Sequence, residues 1–197
     1  MNLPNKLTVV RVILVPILVI LYLLPLDANH FLNTTMTFFE QSINYRQILI
    51  FFIFAFASYT DYLDGKIARR DNLITTFGKF VDPIADKLLV NTILLLLASD
   101  QTISIVYVII MISRDTIVDA IRFMAAGKSR VLAASFLGKL KTVTQMSAIT
   151  LLLLNNIPFA WTNLPIDQLM LVVATIISVY SGCDYFNQNK DIILESM

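Results

Sequence analysis

"SYTDYLDGKIARRDNLITTFGKFVDPIADKLLV", residues 58–90, sets five aspartates between two runs of nearly pure hydrocarbon, four at the inner ends of those runs and Asp71 in the loop between. Asp61 and Asp64 close the run before a short basic loop, and Asp82 and Asp86 open the run after it. The apolar run from Gln47 to Thr60 holds 14 residues without a charge, and that from Leu88 to Ser99 holds 12. A helix rising 1.5 Å per residue needs about 20 residues to cross a bilayer. Neither run crosses unless the turns carrying the aspartates are included. All four carboxylates are therefore expected at one membrane edge, on the last turns of one helix and the first turns of the next.

The composition around this stretch supports a lipid solvent. Of 197 residues, 57% are hydrophobic and 15% charged, and the mean hydropathy is +0.73. An ordinary soluble domain of this length is less apolar, so a polytopic membrane protein is expected over a cytosolic helical bundle. A net charge of +1 gives no bulk attraction to nucleic acid. The single Cys183 excludes a disulfide framework and a cysteine metal site, and its apolar setting reads as a small buried filler. The first apolar run follows two cations and lacks a small-residue cleavage site, so it reads as a retained helix and not a signal peptide.

Six spans follow: Leu7–Leu24, Arg46–Asp64, Phe80–Ser99, Ile103–Met124, Gly138–Asn155 and Asp167–Phe186. The expected fold is an all-α membrane protein, a six-transmembrane-helix bundle forming one domain over residues 1–197. Pro16 removes one backbone bond inside the first helix and is expected to kink it. The segment from Pro25 to Tyr45, with His30, reads as a loop on the far side. With six spans the termini share a side with the loops at 65–79 and 125–137. That side carries Lys6, Lys66, Arg69, Arg70, Lys79, Lys128, Arg130 and Lys190, with Arg11, Lys87, Arg122, Lys139 and Lys141 at its helix ends. The opposite loops hold Arg46 with Asp27, Glu40, Asp100 and Asp167. The excess of Lys and Arg places the termini and the aspartates on the cytoplasmic face.

Asp61 and Asp64 are spaced i,i+3, and Asp82 and Asp86 i,i+4, so each pair shares a helical face. Two helices joined by a loop of about fifteen residues are expected to pack antiparallel, which lets the pairs face one another. Four carboxylates that close do not all stay ionised without cations. Hard oxygen ligands suit Mg²⁺, Mn²⁺ or Ca²⁺, and two divalent ions would neutralise four charges. Two such ions about 4 Å apart form a clamp for displacement at phosphorus. The plainer reading, snorkelling aspartates paired with Lys66, Arg69, Lys79 and Lys87, explains one such residue better than four at these spacings. Gly65, Ala68 and Gly78 leave room for close approach of a ligand, and Arg69 beside metals reads as a phosphate partner.

The pattern Asp61-x-x-Asp64-Gly65-x-x-Ala68-Arg69, eight residues, then Gly78-x-x-x-Asp82-x-x-x-Asp86 resembles the full signature of the CDP-alcohol phosphatidyltransferases. The resemblance extends over essentially the whole chain and implies a six-helix membrane bundle, usually a homodimer. It implies two divalent cations, Mg²⁺ or Mn²⁺, with Asp61, Asp64 and Asp82 on one and Asp61, Asp82 and Asp86 on the other. Pro4, Asn5, Thr8, Gly65, Arg69 and Thr75 are implied to hold the CDP moiety, beside the small signature positions Ala68 and Gly78. Asp86 is the implied general base.

The acceptor is read from other residues. Arg114 lies mid-span, followed by Asp115, Asp119 and Arg122. A charge there costs at least about 2.5–3.5 kcal/mol on insertion scales, so these residues are expected to face the interior. A ladder of Asp115 and Asp119 with Arg122 accounts for the acids and leaves Arg114 in excess, with Lys139 and Lys141 nearby in sequence. A cationic pocket suits an acceptor carrying its own phosphate. The stretches "NLPNKLTVVRVILVP", "SRDTIVDAIR", "GKLKTVTQM" and "SGCDYF" look like the bacterial branch of the family whose acceptor is sn-glycerol 3-phosphate. That branch implies phosphatidyl transfer from CDP-diacylglycerol, with release of CMP, at the cytoplasmic face of a bacterial cell membrane. Phosphatidylglycerol, serine and inositol phosphate are the alternative acceptors; a cation transporter is the alternative outside enzymes. The cationic pocket speaks against serine. A transporter predicts acids at mid-membrane and paired broken helices, and here the acids sit at one edge.

Overall fold

The computed structural model describes residues 2–24, 32, 34–38, 41–71, 75–127, 132, 135–162 and 164–194, without the side chains of residues 38, 69, 76, 77, 79, 80 and 192–194. The described residues form six long helices: α1 Leu3–Leu23, α2 Tyr45–Arg70, α3 Thr76–Ser99, α4 Ile105–Gly127, α5 Phe136–Leu153 and α6 Ile166–Leu194. Each expected span has its helix. One departure from an all-α chain lies before α2, where β1 (Thr35–Phe38) and β2 (Gln41–Asn44) form an antiparallel hairpin with Thr35 opposite Asn44. The part of the expected loop that includes His30 falls outside the described residues.

The helix limits follow from local chemistry. Asn44 starts α2 with a capping box: its Oδ1 accepts from Gln47 N at 2.8 Å, and its own N donates to Gln47 Oε1 at 3.1 Å. From there α2 runs through Asp61 and Asp64 to Arg70 without a break, as the shortness of its uncharged core requires. Thr75 opens α3, accepting the Gly78 N–H on Oγ1 at 3.0 Å, which satisfies one of the first-turn donors. Helix α1 is continuous across Pro16 and α3 across Pro83.

Among the described residues, three stretches are long and apolar enough to cross a membrane: Leu3–Leu23, Tyr45–Ala68 and Ile166–Asp191. Their apolar residues point outward. Ile13, Ile17, Ile20, Phe52, Phe56, Ile176 and Tyr180 are exposed, whereas Asn5, Thr8, Arg11, Thr60, Asp64, Asp115, Lys141 and Gln145 are buried. A water-soluble protein hides the opposite set, so this distribution reads as a chain with hydrocarbon for a solvent. The helix hydroxyls follow the same logic. Ser58, Thr60, Thr116, Thr142, Ser147, Thr150 and Thr175 each donate to a carbonyl three or four residues back, which satisfies these donors within their own helices. Cys183 corrects an expectation: it is exposed on α6 and does not fill a core.

The chain divides into two compact units, residues 1–97 with 153–164, and residues 98–152 with 165–197. In the first, α1 packs on α2, and β2 leads into α2. A short 3-10 helix, Ile157–Thr162, belongs to this unit, and Asn155 ahead of it donates to Ser42 O of the hairpin at 2.8 Å. In the second, α4 packs on α6. The buried stripe of α4 is Val108, Met111, Asp115, Val118, Ile121 and Ala125, a helical repeat with a carboxylate at its centre. On α6 the small residues Ala174, Ser178 and Ser181 are buried, the composition that lets membrane helices approach closely.

Candidate functional site

The first unit gathers the signature aspartates on α1. Asn5, Thr8 and Arg11 recur every third residue and so share a face of that helix. Arg11 is the central group, fully buried in a helix whose other residues from Leu7 to Leu24 carry no charge. Its Nη1 stands 3.1 Å from Asp61 Oδ1 and 2.9 Å from Asp86 Oδ1, and its Nη2 stands 2.7 Å from Asp64 Oδ2. Its Nε donates to the Ala57 carbonyl at 3.3 Å. One guanidinium thus binds carboxylates from both aspartate pairs, using the planar fork that lysine lacks. Asp82, the fourth aspartate, accepts from Thr8 Oγ1 on its Oδ1.

The small residues of the signature have a geometric use. Thr75 Oγ1 donates to Asn5 Oδ1 at 2.9 Å, which ties the start of α3 to the start of α1. A Cβ on Gly78 would stand 3.3 Å from Asp82 Oδ2, 3.3 Å from Thr75 Oγ1 and 3.4 Å from Asn5 Oδ1. Glycine lets three polar groups converge there. Asn5 and Thr8 are buried, Thr75, Gly65 and Ala68 half-buried, and Pro4 precedes them in the first turn of α1. Arg69 lies in the last turn of α2, and its side chain falls outside the described residues, as does that of Lys79. Lys66 rests over the Tyr62 ring, 5.9 Å from its centroid.

The side-chain exposures separate two kinds of carboxylate. Asp64 is 3% exposed, but Asp61 and Asp86 are 41% and 43% exposed, so the latter two can reach a ligand while held by Arg11. As they stand, no three His, Cys, Asp or Glu side chains among the described residues are set to hold one ion. The chemistry of the donors fits a hard divalent cation nevertheless. Carboxylate oxygens from two helices already share one cation, the guanidinium, and hard cations take oxygen ligands of this type. The plainer reading, pairing with Lys66, Arg69, Lys79 and Lys87, gives way for Asp61, Asp64 and Asp86 to pairing with Arg11. The signal was present in the sequence: a lone cation inside an apolar helix needs a buried partner, and the chain offered four.

The second unit holds the other expected cations. Arg114 Nη1 stands 3.0 Å from Asp115 Oδ1, Nη2 donates to Ser181 Oγ at 2.6 Å, and Nε donates to the Ser178 carbonyl at 3.2 Å. Lys141, buried on α5, donates to both oxygens of Asp115, at 2.8 and 2.6 Å. Asp115 therefore serves Arg114 and Lys141 together. That corrects the expected ladder at Asp115, and Arg114 is not in excess. Arg122 donates to Tyr185 Oη at 3.3 Å, and its guanidinium carbon lies 5.4 Å from that ring's centroid. Arg122 and Lys139 are exposed. Gly182 is the residue that sequence reasoning passed over. A Cβ there would stand 2.8 Å from Arg114 Cγ, so the arginine reaches Ser181 only because α6 has no side chain at that point. Beside it Ile109, Ile110, Ile117, Val179 and Phe186 line an apolar groove of about 560 Å³ with Arg114 on its wall.

Comparison with known proteins places these features in a group. The family described as CDP-alcohol phosphatidyltransferase matches residues 1–180. The chain is 40% identical over 195 residues to a CDP-diacylglycerol–glycerol-3-phosphate 3-phosphatidyltransferase of Bacillus subtilis (strain 168), covering 99% of this chain and 98% of that one. It is 36% identical over 202 residues to the protein so named in Haemophilus influenzae, covering 100% and 97%. The counterpart in Rickettsia typhi is 33% identical over 191 residues, covering 96% and 97%.

Proposed function

The chain belongs to the CDP-alcohol phosphatidyltransferase family, and from that premise we propose that it is a phosphatidylglycerophosphate synthase. It transfers the phosphatidyl group of CDP-diacylglycerol to sn-glycerol 3-phosphate and releases CMP. One observation carries the reading beyond the family. The full-length relatives named for this reaction match both units, including the second unit with Arg114, Arg122, Lys139 and Lys141.

Proteins of this family generally depend on divalent cations. Asp61, Asp64, Asp82 and Asp86 would hold two, Mg²⁺ or Mn²⁺. Such ions supply charge neutralisation at a pyrophosphate and at its leaving phosphate. The chain's own residues do the rest. Asn5, Thr8, Thr75 and Gly78 form the polar floor on which the nucleotide rests, with Pro4, Gly65, Ala68 and Arg69 around it. Thr8 fixes the orientation of Asp82, and Asn5 fixes Thr75. Asp86 reaches the acceptor with a partly exposed carboxylate and takes the proton from its 1-hydroxyl, which attacks the phosphorus bearing diacylglycerol. Arg114 and Lys141, held by Asp115, bind the phosphate of glycerol 3-phosphate, and the exposed Arg122 and Lys139 attract it.

The same reading gives six membrane spans in one domain, termini and active site on the cytoplasmic side, and a homodimer in a bacterial cell membrane. The spans and their orientation are supported by the outward apolar faces and the one-sided distribution of Lys and Arg. An edge site suits the substrates, one dissolved in water and the other in the bilayer. The deciding experiment measures CMP release from CDP-diacylglycerol by the purified protein with glycerol 3-phosphate, inositol phosphate, serine and phosphatidylglycerol in parallel. Glycerol 3-phosphate should exceed the others by at least an order of magnitude. Preference for another acceptor would refute the assignment.

A further inference from the structure

Arg11 stands where a positively charged ligand of the aspartates would stand. We propose that it is the built-in counterion of the cluster: it holds Asp61, Asp64 and Asp86 together when no divalent cation is bound, and it opposes divalent binding. The proposal rests on the reading of the four aspartates as cation ligands. Three observations carry it. The guanidinium is fully buried, yet none of its nitrogens faces an apolar neighbour alone, since Asp64, Asp86 and the Ala57 carbonyl accept from it and Asp61 pairs with it at 3.1 Å. Asp61 and Asp86 share a single nitrogen of it, which places carboxylates of α2 and α3 around one positive charge. Both carboxylates are also partly exposed, so a dication can reach the same oxygens.

Two effects of opposite sign follow from removing this charge. Without Arg11 the four carboxylates repel one another in the cation-free chain, and one of them, Asp64, is buried with no cation beside it. That destabilises the cation-free state. A dication, by contrast, no longer meets a buried positive charge within hydrogen-bond reach of its own ligands. At that range repulsion between a guanidinium and a dication outweighs the ordering of three short side chains, so affinity rises. A residue that merely shaped the site would act the other way: its loss would loosen the ligands and weaken the ion. The sign of the change in affinity separates the two roles.

The test uses the full-length protein in detergent, with thermal melting in chelator and Mn²⁺ binding followed by the electron paramagnetic resonance of the free ion. Arg11→Gln should melt lower than wild type in chelator, bind Mn²⁺ about tenfold or more tightly, and gain more in melting temperature from the ion. Arg11→Lys keeps the charge without the fork, so it should melt lower yet bind Mn²⁺ within about threefold of wild type. If Arg11→Gln unfolds in chelator, purification in Mn²⁺ should recover it; failure to recover it overturns the proposal. Unchanged or weaker Mn²⁺ binding by a folded Arg11→Gln overturns it as well and leaves the cation site standing. Absence of Mn²⁺ binding by the wild type removes the cation site itself, and the counterion role with it.

Discussion

At the scale of single residues, the four aspartates do not have equal parts. Asp61 and Asp82 are the two proposed to bridge both cations, so Asp61→Asn and Asp82→Asn should each abolish CMP release, and wild-type activity should require added Mg²⁺ or Mn²⁺. Substantial turnover in excess chelator would sink the cation assignment. Asp86 is partly exposed and carries the proposed proton transfer. Asp86→Asn keeps the shape and one ligand oxygen, so CDP-lipid binding measured by calorimetry should fall modestly while the rate drops about 10²- to 10⁴-fold. Retention of more than a tenth of the wild-type rate would assign the base elsewhere. Arg114 is the residue that discriminates acceptors. A charge-assisted contact contributes roughly 1.5–3 kcal/mol, so Arg114→Ala should raise KM for glycerol 3-phosphate about 10- to 150-fold and leave KM for CDP-diacylglycerol little changed. An equal effect on both substrates would assign Arg114 to holding α4 against α6, through Ser178 and Ser181.

At the scale of elements, the helices were readable and the pairing between them was not. Spacing puts Asp61 with Asp64 and Asp82 with Asp86 on single faces, and the shortness of the uncharged runs forces both helices to include their aspartates. Those are local facts, and the limits of α2 and α3 agree with them. That Arg11 meets both pairs is a contact across more than forty residues of sequence, which no local periodicity encodes. The same reason hid the bond of Lys141 to Asp115, where a ladder along α4 was the nearer guess. Cys183 was misread because an apolar run in a membrane helix does not say which face looks outward. Gly182 shows how one missing side chain inside α6 becomes chemistry. Gly182→Ala brings a methyl group to within 2.8 Å of Arg114 Cγ, a distance neither atom tolerates, so the arginine must shift. KM for glycerol 3-phosphate should rise several-fold in Gly182→Ala and remain unaltered by the same change in an Arg114→Ala background. Additive effects in the double variant would mean that the methyl group acts through helix packing and not through the arginine.

At the scale of the whole molecule, orientation decides whether the reaction can draw its water-soluble substrate from the cytoplasm. In the proposed six-span topology thirteen cations fall on the side of the termini and of the loop after α2, and Arg46 is alone on the other side with four acids. Arg46 also answers to a local need: its Nη1 donates to the Tyr22 carbonyl at 2.9 Å and to the Leu24 carbonyl at 3.3 Å, at the end of α1. A cation capping the last carbonyls of a helix is stabilised by the helix dipole, so its place there does not weaken the charge bias. With Cys183→Ser as background, single reporters on each side test the arrangement. Asp71→Cys, at the end of α2, and Ser104→Cys, before α4, are exposed positions in their native forms. A membrane-impermeant maleimide applied to intact cells should label Ser104→Cys and spare Asp71→Cys until the membrane is opened. The reverse pattern would put the aspartates outside and leave glycerol 3-phosphate on the wrong side of the membrane. Labelling of both in intact cells would mean that α3 does not cross. The expected result follows from a bias of thirteen cations against one, which exceeds what one salt bridge or cap could reverse.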